Sequence, residues 1–470
     1  MASKQCHVMM FPWLAFGHMI PSLEFSKRLA AKGVRISFVS TPRNIQRLPS
    51  VPSDLANQIK LVEIHLPPVD GLPQNCEATV DLQQSEIQYL KKACDHLQQT
   101  FEKLLQEDLP DYVLFDFVQC WIPETAAKFG VPSAYLSAFS ASSLAFIGPP
   151  NELKSSSQRA KPEDFTVAPE WFPFPSLISH RPDQAAMIFR NLNFPDESGL
   201  SSGQRFATTL EGCDFVAVRS CREFEGDYLN LLEELYQKPV LSIGILPPIL
   251  AANKFSHPNF SSIFKWLDKQ EKKSVVFVGF GTEYKMPIKE VQELALGIEL
   301  SQLPYIWILR KTEGVDSSDM LPNGFLARTS NHGMVCFGWA PQCEILAHPA
   351  IGGCLFHSGW GSVIETLSFG HPQILMPMVA DQGLVAKLLV EKGIGYEVKR
   401  NENGSFCLDA VAMSLRRVML EQEGRRLRSE AAKMPTIFAN QDLQDDYTSK
   451  FVELLSNYKI KKHSISAKSS

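Results

Sequence analysis

The sequence predicts an α/β protein built from two doubly wound, Rossmann-like domains in tandem. Short apolar runs alternate with helical patterns, which is typical of parallel sheets covered by helices on both faces. At 470 residues the chain exceeds the usual size of a single hydrophobic core. The alternation also stops at a proline-containing stretch, 246–262, and then starts again. Two domains joined by a linker follow from these observations.

The first series covers residues 1–245. Its first helical pattern places Met19, Leu23, Ser26 and Ala30 on one face, and Gly33 ends it. A long helix is expected at 82–105 and another at 122–129. The segment 149–204, rich in proline, serine and aromatic residues, reads as a long loop. Apolar strand patterns occur at 6–11, 34–40, 59–64, 112–115, 132–136, 215–218 and 239–243.

The second series, 263–440, repeats the alternation after the predicted interdomain linker 246–262. Its strand patterns occur at 275–278, 305–309, 334–337, 353–356 and 373–376. Residues 441–470 are expected to form a C-terminal helix that returns to the first domain. The Lys/Ser-rich end from Lys459 is expected to be disordered.

Composition excludes several classes of protein. A net charge of −5 gives no electrostatic reason to bind nucleic acid or an anionic membrane. No apolar run reaches the roughly 18 to 20 residues of a membrane span. The ten cysteines show no CxxC pair and no metal-binding spacing, which favours reduced thiols. We expect a cytoplasmic protein, and a monomer.

The stretch 339–382 holds the densest group of ligand-binding residue types. The turn HSGWGS, 357–362, follows the strand pattern 353–356 and leads into a helix. Free N–H groups at such a helix N-terminus bind anions, and small residues let a phosphate approach. His357 and Ser362 could both donate hydrogen bonds to phosphate oxygens.

Other side chains in 339–382 suit the remaining parts of a nucleotide. Glu365, one turn into the helix, could accept hydrogen bonds from two ribose hydroxyls. Trp339 offers a flat face for a base, and Gln342 matches an imide edge. Each residue alone also has an ordinary structural explanation, as a turn or core residue. Competing nucleotide motifs are absent: there is no GxxxxGK[ST], and 279–282 lacks the third glycine of GxGxxG. These residues therefore indicate a phosphate-bearing ligand, a nucleotide, in the second domain.

The 44 positions 339–382 closely resemble the secondary-product glycosyltransferase box of plant family-1 UDP-glycosyltransferases. WAPQ at the head, HPAIGGCLFHSGW in the middle, Glu365 five residues past Trp360, and DQ at the end all fall in register. The resemblance extends over the whole chain, including VFVGFGT at 276–282. The segments FPWLAFGHMIP and FVSTPRNIQRLP resemble the subgroup that adds a sugar to an existing glycoside.

The resemblance implies a GT-B type fold, with the two domains facing each other across a cleft, and a UDP-sugar co-substrate. Trp339 would stack on uracil beside Gln342, and Glu365 would bind the ribose. The resemblance also implies contacts to the diphosphate from Thr282, His357 and Ser362. It implies contacts to the donor sugar from Trp360, Asp381 and Gln382. Gly361 stands where the family usually has Asn, so one amide contact is lost there.

A histidine and an aspartate are the candidate catalytic residues. His18 follows the first strand pattern and Asp116 ends the strand pattern 112–115, so both belong at the carboxyl edge of one sheet. A carboxylate that holds one imidazole nitrogen raises the basicity of the other. An isolated histidine is more often structural, but the resemblance places the family's His/Asp pair on these two residues. No Asp-x-Asp occurs in the chain, so we expect no metal and no permanently bound cofactor.

The expected activity is inverting transfer of glucose or rhamnose from a UDP-sugar to a hydroxyl of a small apolar natural-product glycoside, such as a flavonoid or terpenoid glycoside. The candidate acceptor residues, each equally explained as core or surface, are Phe16, Phe117, Trp121, Phe139, Phe194 and Glu283. Three alternatives stay open: transfer to the aglycone itself, a nucleotide-dependent enzyme of another class such as a dehydrogenase, and a UDP-sugar-binding protein without catalysis.

Overall fold

The computed structural model describes residues 5–248, 260–311, 314–316 and 319–466, the last nine of these for the backbone only. Contacts divide the chain into two compact units. The first contains Met1–Asp164, Ala186–Leu246 and Gln441–Ser470. The second contains Phe165–Ala185 and Pro247–Asn440. Most of the predicted linker, 249–259, lies outside the described residues.

The first unit is built on a seven-stranded sheet in the order β3-β2-β1-β4-β5-β6-β7. All neighbouring strands are parallel. The strands are β1 His7–Phe11, β2 Arg35–Ser40, β3 Ile59–Glu63, β4 Tyr112–Phe115, β5 Ser133–Ser137, β6 Phe215–Val218 and β7 Val240–Ser242.

The second unit is built on a six-stranded parallel sheet in the order β10-β9-β8-β11-β12-β13. Trp307 of β9 is fully buried in its core. The strands are β8 Val275–Gly279, β9 Tyr305–Leu309, β10 Gly333–Phe337, β11 Ile351–Phe356, β12 Gln373–Leu375 and β13 Gly395–Glu397. Two parallel α/β units agree with the predicted fold class.

Helices connect the strands in both units. Those before the first strand of the second unit are α1 Phe16–Ala31, α2 Pro42–Arg47, α3 Ile87–Asp95, α4 Gln98–Glu107, α5 Ile122–Lys128, α6 Ala141–Ile147, α7 Pro150–Ser155, α8 Pro182–Asn193, α9 Ser202–Gly212, α10 Arg222–Tyr236 and α11 Ser261–Leu267. Those after it are α12 Ile288–Ser301, α13 Phe325–Thr329, α14 Gln342–Leu346, α15 Trp360–Ser368, α16 Gln382–Glu391, α17 Leu408–Met419, α18 Gly424–Ala431, α19 Pro435–Phe438 and α20 Gln441–Ser466. Short 3-10 turns occur at Ser53–Leu55, Thr79–Asp81, Gln84–Glu86, Phe117–Gln119 and Pro162–Phe165. Within the described part of the chain, no helix is both long and apolar enough to cross a membrane.

Helix α20 packs on the first unit. Phe451 contacts Phe25 of α1, with ring centroids 5.1 Å apart. The Tyr112 hydroxyl of β4 donates to the carbonyl of Leu455. The helix continues to Ser466, so the expected disorder from Lys459 is wrong over that range, and 467–470 lie outside the described residues.

The structure corrects two predictions in the first series. The single helix expected at 82–105 is wrong, because the chain forms α3 and α4 after two 3-10 turns. Side chains cap those turns: Asp81 accepts from the Ala78 N–H at 3.0 Å, and Glu86 accepts from the Gln83 N–H at 2.6 Å. Such local bonds compete with helix continuation. The long loop expected at 149–204 is also wrong, since it contains α7, α8 and the start of α9.

The segment Phe165–Ala185 differs from the predicted domain boundaries. The sequence places it inside the first domain, 1–245, whereas in the structure it belongs to the second unit. We refer to it below as the inserted segment.

Candidate active site

The two candidate catalytic residues follow neighbouring strands of the first sheet. His18 lies in the first turn of α1, after β1, and Asp116 comes directly after β4, which pairs with β1. Parallel pairing brings both carboxyl ends to one edge. His18 Nδ1 lies 2.7 Å from Asp116 Oδ2.

The Asp116 carboxylate is held in place by backbone donors. Its Oδ1 accepts from the Phe117 N–H at 2.8 Å, and its Oδ2 accepts from the Trp13 N–H at 3.3 Å. The carboxylate is only 1% exposed. A buried, fixed acceptor selects the tautomer in which Nδ1 of His18 carries the proton, so that Nε2 is the basic nitrogen.

An aromatic cluster surrounds the His18 ring. Phe139 meets it edge-on at 5.3 Å, and Phe117 lies 6.4 Å from it, centroid to centroid. Phe206 of α9 stacks on Phe117 at 4.3 Å with an interplanar angle of 3°. Sequence reasoning missed Phe206, although its spacing from Leu210 on a helical pattern was an available signal. The cluster gives the His18 ring an apolar neighbourhood.

The other aromatic candidates in the first unit have different neighbours. The Arg47 guanidinium lies 5.0 Å from the Phe16 ring, and Trp121 packs on Phe101 at 5.6 Å. Phe194 is 55% exposed and contacts Phe189 at 5.9 Å. The structure thus brings Phe117 and Phe139 to the His18 ring, and gives the remaining three other partners.

In the second unit, His357 follows β11 and its ring packs against two glycines. A methyl group on Gly281 would lie 2.8 Å from Cε1 of the ring, and one on Gly359 would lie 2.6 Å from Nε2. Gly281 also has a φ of +64°, where a side chain is strained. Burial lowers the pKa of His357 to about 4, partly opposed by the backbone of Gly279. The imidazole is therefore neutral at pH 7, so it offers a hydrogen bond rather than a charge.

The turn after His357 leads directly into α15. Ser358 has a φ of +65°, a left-handed conformation that is uncommon outside glycine, and its side chain is fully buried. The N-cap position of α15 is Gly359, and no side-chain cap bond is made there within the part of the chain that the structure describes. Trp360 is buried, while Gly361 and Ser362 are half-buried in its first turn. The first N–H groups of α15, which lack an intrahelical partner, are suited to an anion.

Three residues are candidates for binding the nucleobase and the ribose. Gln342 lies on α14, Glu365 lies on α15, and Trp339 lies just before α14. Gln342 Nε2 donates to Glu365 Oε2 at 2.5 Å, so the two side chains bond each other. Trp339 is 68% exposed, which suits a stacking role, and its ring contacts Phe260 at 5.4 Å.

Asp381 and Gln382, which we call the acid–amide pair, lie at the start of α16. Asp381 is half-buried at the N-cap position. Gln382 Oε1 accepts from the N–H groups of Met378 and Val379 at 2.9 and 3.0 Å. The carbonyl end of this amide therefore shapes its own loop, and its NH₂ end is the part that suits a ligand.

Two candidates lie in the loop after β8. Thr282 is exposed, and its carbonyl accepts from the Arg310 guanidinium. Glu283 is half-buried, and its Oε1 has no hydrogen-bond partner among the described residues. Within the same described part of the chain, no group of three or more His, Cys, Asp or Glu side chains could hold a metal ion.

Comparisons with known proteins identify the family. The model of the family "UDP-glucoronosyl and UDP-glucosyl transferase" matches residues 249–425. The chain is 43% identical over 450 residues to UDP-glycosyltransferase 91C1 of Arabidopsis thaliana, which covers 96% of both chains. It is 38% identical over 468 residues to soyasaponin III rhamnosyltransferase of Glycine max, which covers 97% of both chains.

The fold is shared with solved structures. The crystal structure of Glycyrrhiza uralensis UGT73P12 complexed with glycyrrhetinic acid 3-O-monoglucuronide superposes with a TM-score of 0.82. It covers 99% of each chain at 22% identity. This confirms the predicted GT-B type α/β fold with two Rossmann-like domains. By sequence and by fold, this chain belongs to the plant family-1 UDP-dependent glycosyltransferases and is a glycosyltransferase.

Proposed function

We propose that this glycosyltransferase is inverting and metal-independent, and that it transfers glucose or rhamnose from a UDP-sugar to a sugar hydroxyl of a small apolar glycoside. Flavonoid and terpenoid glycosides are the acceptor classes we favour. We also propose that it acts in the cytoplasm as a monomer. The observation that carries the proposal is the hydrogen bond between His18 and the buried carboxylate of Asp116.

His18 is the general base in this proposal. Its Nε2 removes the proton of the acceptor hydroxyl while that oxygen attacks the anomeric carbon. The proton stays on the imidazole, and Asp116, 2.7 Å away, stabilises the imidazolium. The bond between the anomeric carbon and the diphosphate oxygen breaks, and UDP leaves from the opposite face. One displacement inverts the anomeric centre and needs no covalent enzyme intermediate.

The second unit binds the departing UDP. The N-terminal N–H groups of α15 and the Ser362 hydroxyl meet the diphosphate charge. His357 contributes a hydrogen bond from a neutral ring, since burial holds its pKa near 4. Trp339 stacks on uracil, and Glu365, now bonded to Gln342, turns to the ribose hydroxyls.

The choice of sugar and acceptor is supported by different observations. The name of the Glycine max relative supports rhamnose as a donor sugar beside glucose. Phe117 and Phe139 beside His18 support an apolar acceptor body. The N-terminal segments that resemble the sugar-on-sugar subgroup support a sugar hydroxyl as the attacking group, and Glu283 suits a hydrogen bond from that sugar.

A matrix of donors and acceptors tests the proposal. UDP-glucose and UDP-rhamnose are each incubated with a panel of aglycones and their monoglucosides, and products are identified by mass spectrometry. We expect one UDP-sugar to be used at least about 10-fold better than the other, and monoglucosides to be preferred over aglycones. A clear preference for aglycones would overturn the sugar-on-sugar assignment. No transfer from any UDP-sugar would overturn the proposed function.

A further inference from the structure

The inserted segment, Phe165–Ala185, contacts both ends of the helix that begins with the acid–amide pair. At the C-terminal end of α16, Glu391 Oε2 accepts from the Ser176 hydroxyl at 3.1 Å and from the Leu177 N–H at 2.9 Å. At the N-terminal end, a methyl group on Gly383 would lie 3.0 Å from Gln184 Oε1. The segment therefore packs along α16 from Glu391 to the residue after Gln382.

The same segment reaches the loop 377–381, which precedes α16. Arg181 Nη1 donates to the carbonyl of Pro377 at 3.4 Å, and Gln184 Nε2 donates to the carbonyl of Met378 at 3.5 Å. Arg181 is itself oriented by Asp183, whose carboxylate it meets with two nitrogens at 3.0 Å each. Its side chain is only 13% exposed.

A second arginine binds the same loop from the body of the unit. Arg400 Nη2 donates to the Pro377 carbonyl at 2.9 Å, so this one oxygen faces two guanidinium groups. Burial, followed by the charge of Arg181, lowers the pKa of Arg400 to about 10. Asp183, Glu290 and Glu397 are the carboxylates beside the two cations. Two cations are thus kept together around a single backbone carbonyl.

The loop needs such external support. Ala380 has a φ of +54°, a left-handed conformation that is strained for a non-glycine residue. On its other side the loop is held by Gln382, which accepts from the Met378 and Val379 N–H groups. Backbone groups on both sides of the loop are therefore bonded, and Arg181 and Gln184 supply the contacts that come from the inserted segment.

We propose that the inserted segment, through Arg181, positions the loop 377–381 and thereby sets how tightly and how selectively the sugar of a UDP-sugar is held. This inference rests on the proposed function, in which Asp381 and Gln382 read the donor sugar. Arg181 is a positioning residue, since it acts through the loop rather than on the ligand. The UDP part, bound by α15 and Trp339, does not depend on it.

Binding titrations with UDP, UDP-glucose and UDP-rhamnose test this inference in the full chain. In Arg181→Ala we expect the Kd for UDP to stay within about 2-fold of wild type, and the Kd for the preferred UDP-sugar to rise about 5-fold. The preference between the two UDP-sugars should narrow by a similar factor, and KM for the donor should rise more than kcat falls. Arg181→Lys should recover part of the loss, because it keeps the charge but not the two-nitrogen contact with Asp183.

Arg328→Ala is the matched control. Arg328 also meets one carboxylate, Glu299, with two nitrogens, at 2.6 and 2.9 Å, and donates to a backbone carbonyl, that of Asn323. It should leave the binding of all three ligands unchanged. If Arg181→Ala does not fold, Gln184→Ala, which removes the hydrogen bond to the Met378 carbonyl and leaves Arg181 in place, is measured instead with the same expected pattern.

Equal weakening of UDP and UDP-sugar, or an unchanged ratio of their Kd values, overturns the inference. Failure of the proposed function is a separate result. A wild-type protein that binds UDP-sugar but transfers nothing would refute the transferase assignment, and the binding ratio would still decide the role of Arg181.

Discussion

The two units place their functional groups by different means. In the first, the proposed chemistry depends on one pair of side chains, His18 and Asp116, already bonded at 2.7 Å. In the second, the proposed donor site depends largely on backbone shape: the close approach of Gly281 and Gly359 to His357, and the left-handed Ser358 and Ala380. A base must be one specific atom with a tuned proton affinity, whereas a diphosphate is bound by many N–H groups at once. The first unit should therefore be sensitive to single side chains, and the second to single backbone positions.

The largest expected effect comes from the first unit. His18→Ala removes the proposed base and should lower kcat by roughly 10² to 10⁴, with UDP affinity unchanged, because the proposed UDP site lies in the other unit. Initial rates with the preferred donor, together with UDP titration, measure both quantities. Asp116→Asn should also lower kcat and flatten its pH dependence. Near-normal turnover of His18→Ala would show that the first unit is not sensitive to this single side chain.

Acid should affect the stability of the second unit. His371 is 3% exposed and burial lowers its pKa to about 4. The unfolded chain, with a His pKa near 6.5, binds a proton between these values that the folded chain does not. The free energy of unfolding should therefore fall by on the order of 3 kcal/mol as the pH drops from 6.5 to 4.

Denaturant unfolding at pH 7.5 and pH 4.5 measures this loss. His371→Gln keeps a donor for the Leu346 carbonyl, which His371 Nε2 contacts at 2.7 Å, but does not titrate. The variant should lose less stability in acid, with His357 accounting for a further part of the wild-type loss. An identical pH dependence in wild type and variant would contradict the assignment.

A smaller effect is expected from the backbone of the donor-binding unit. Gly281→Ala would place a methyl group 2.8 Å from the His357 ring and should weaken UDP binding about 10-fold by displacing that hydrogen-bond donor. Gly393→Ala is the matched control, since Gly393 also has a positive φ, +69°, but its methyl group would meet none of the described residues within 4 Å. Calorimetric titration with UDP compares the two. Equal losses would mean that strain, not contact with His357, is responsible.

The smallest expected effect is none at all. If backbone N–H groups and neutral donors bind the diphosphate, excess EDTA should leave the rate of sugar transfer unchanged within error. Rates with EDTA, and with added Mg²⁺ or Mn²⁺, check this expectation. Loss of activity in EDTA with recovery in Mg²⁺ would show that the second unit does not neutralise the diphosphate by itself.

Much of this architecture was predictable because it depends on local patterns. Buried strands such as Val275–Gly279 are continuous apolar runs, and the position of Asp116 at the end of β4 follows from the strand pattern alone. The two 3-10 turns before α3 were not, since capping by Asp81 and Glu86 overrides an otherwise helical pattern. Individual side-chain bonds between distant positions were harder to predict: nothing near Gln342 in the sequence indicates its bond to Glu365.

The inserted segment is the clearest case of what sequence patterns do not reveal. Arg181 bonds a carbonyl 196 positions later in the chain, and its own neighbourhood shows no periodicity that points there. The packing of α20 differs in this respect, because the sequence analysis expected the C-terminal helix to return to the first domain, and α20 bonds strand β4 of that unit.

This interleaving has a consequence for protein engineering. A chimera joined once, near residue 247, would combine the inserted segment of one parent with the loop 377–381 of another, and would also pair α20 with a foreign first unit. Exchanging donor preference between relatives by such a single crossover would mismatch Arg181 and Pro377 from the outset. A graft that moves 165–185 together with 247–440, and leaves 441–466 with its own partner, keeps each packed unit intact.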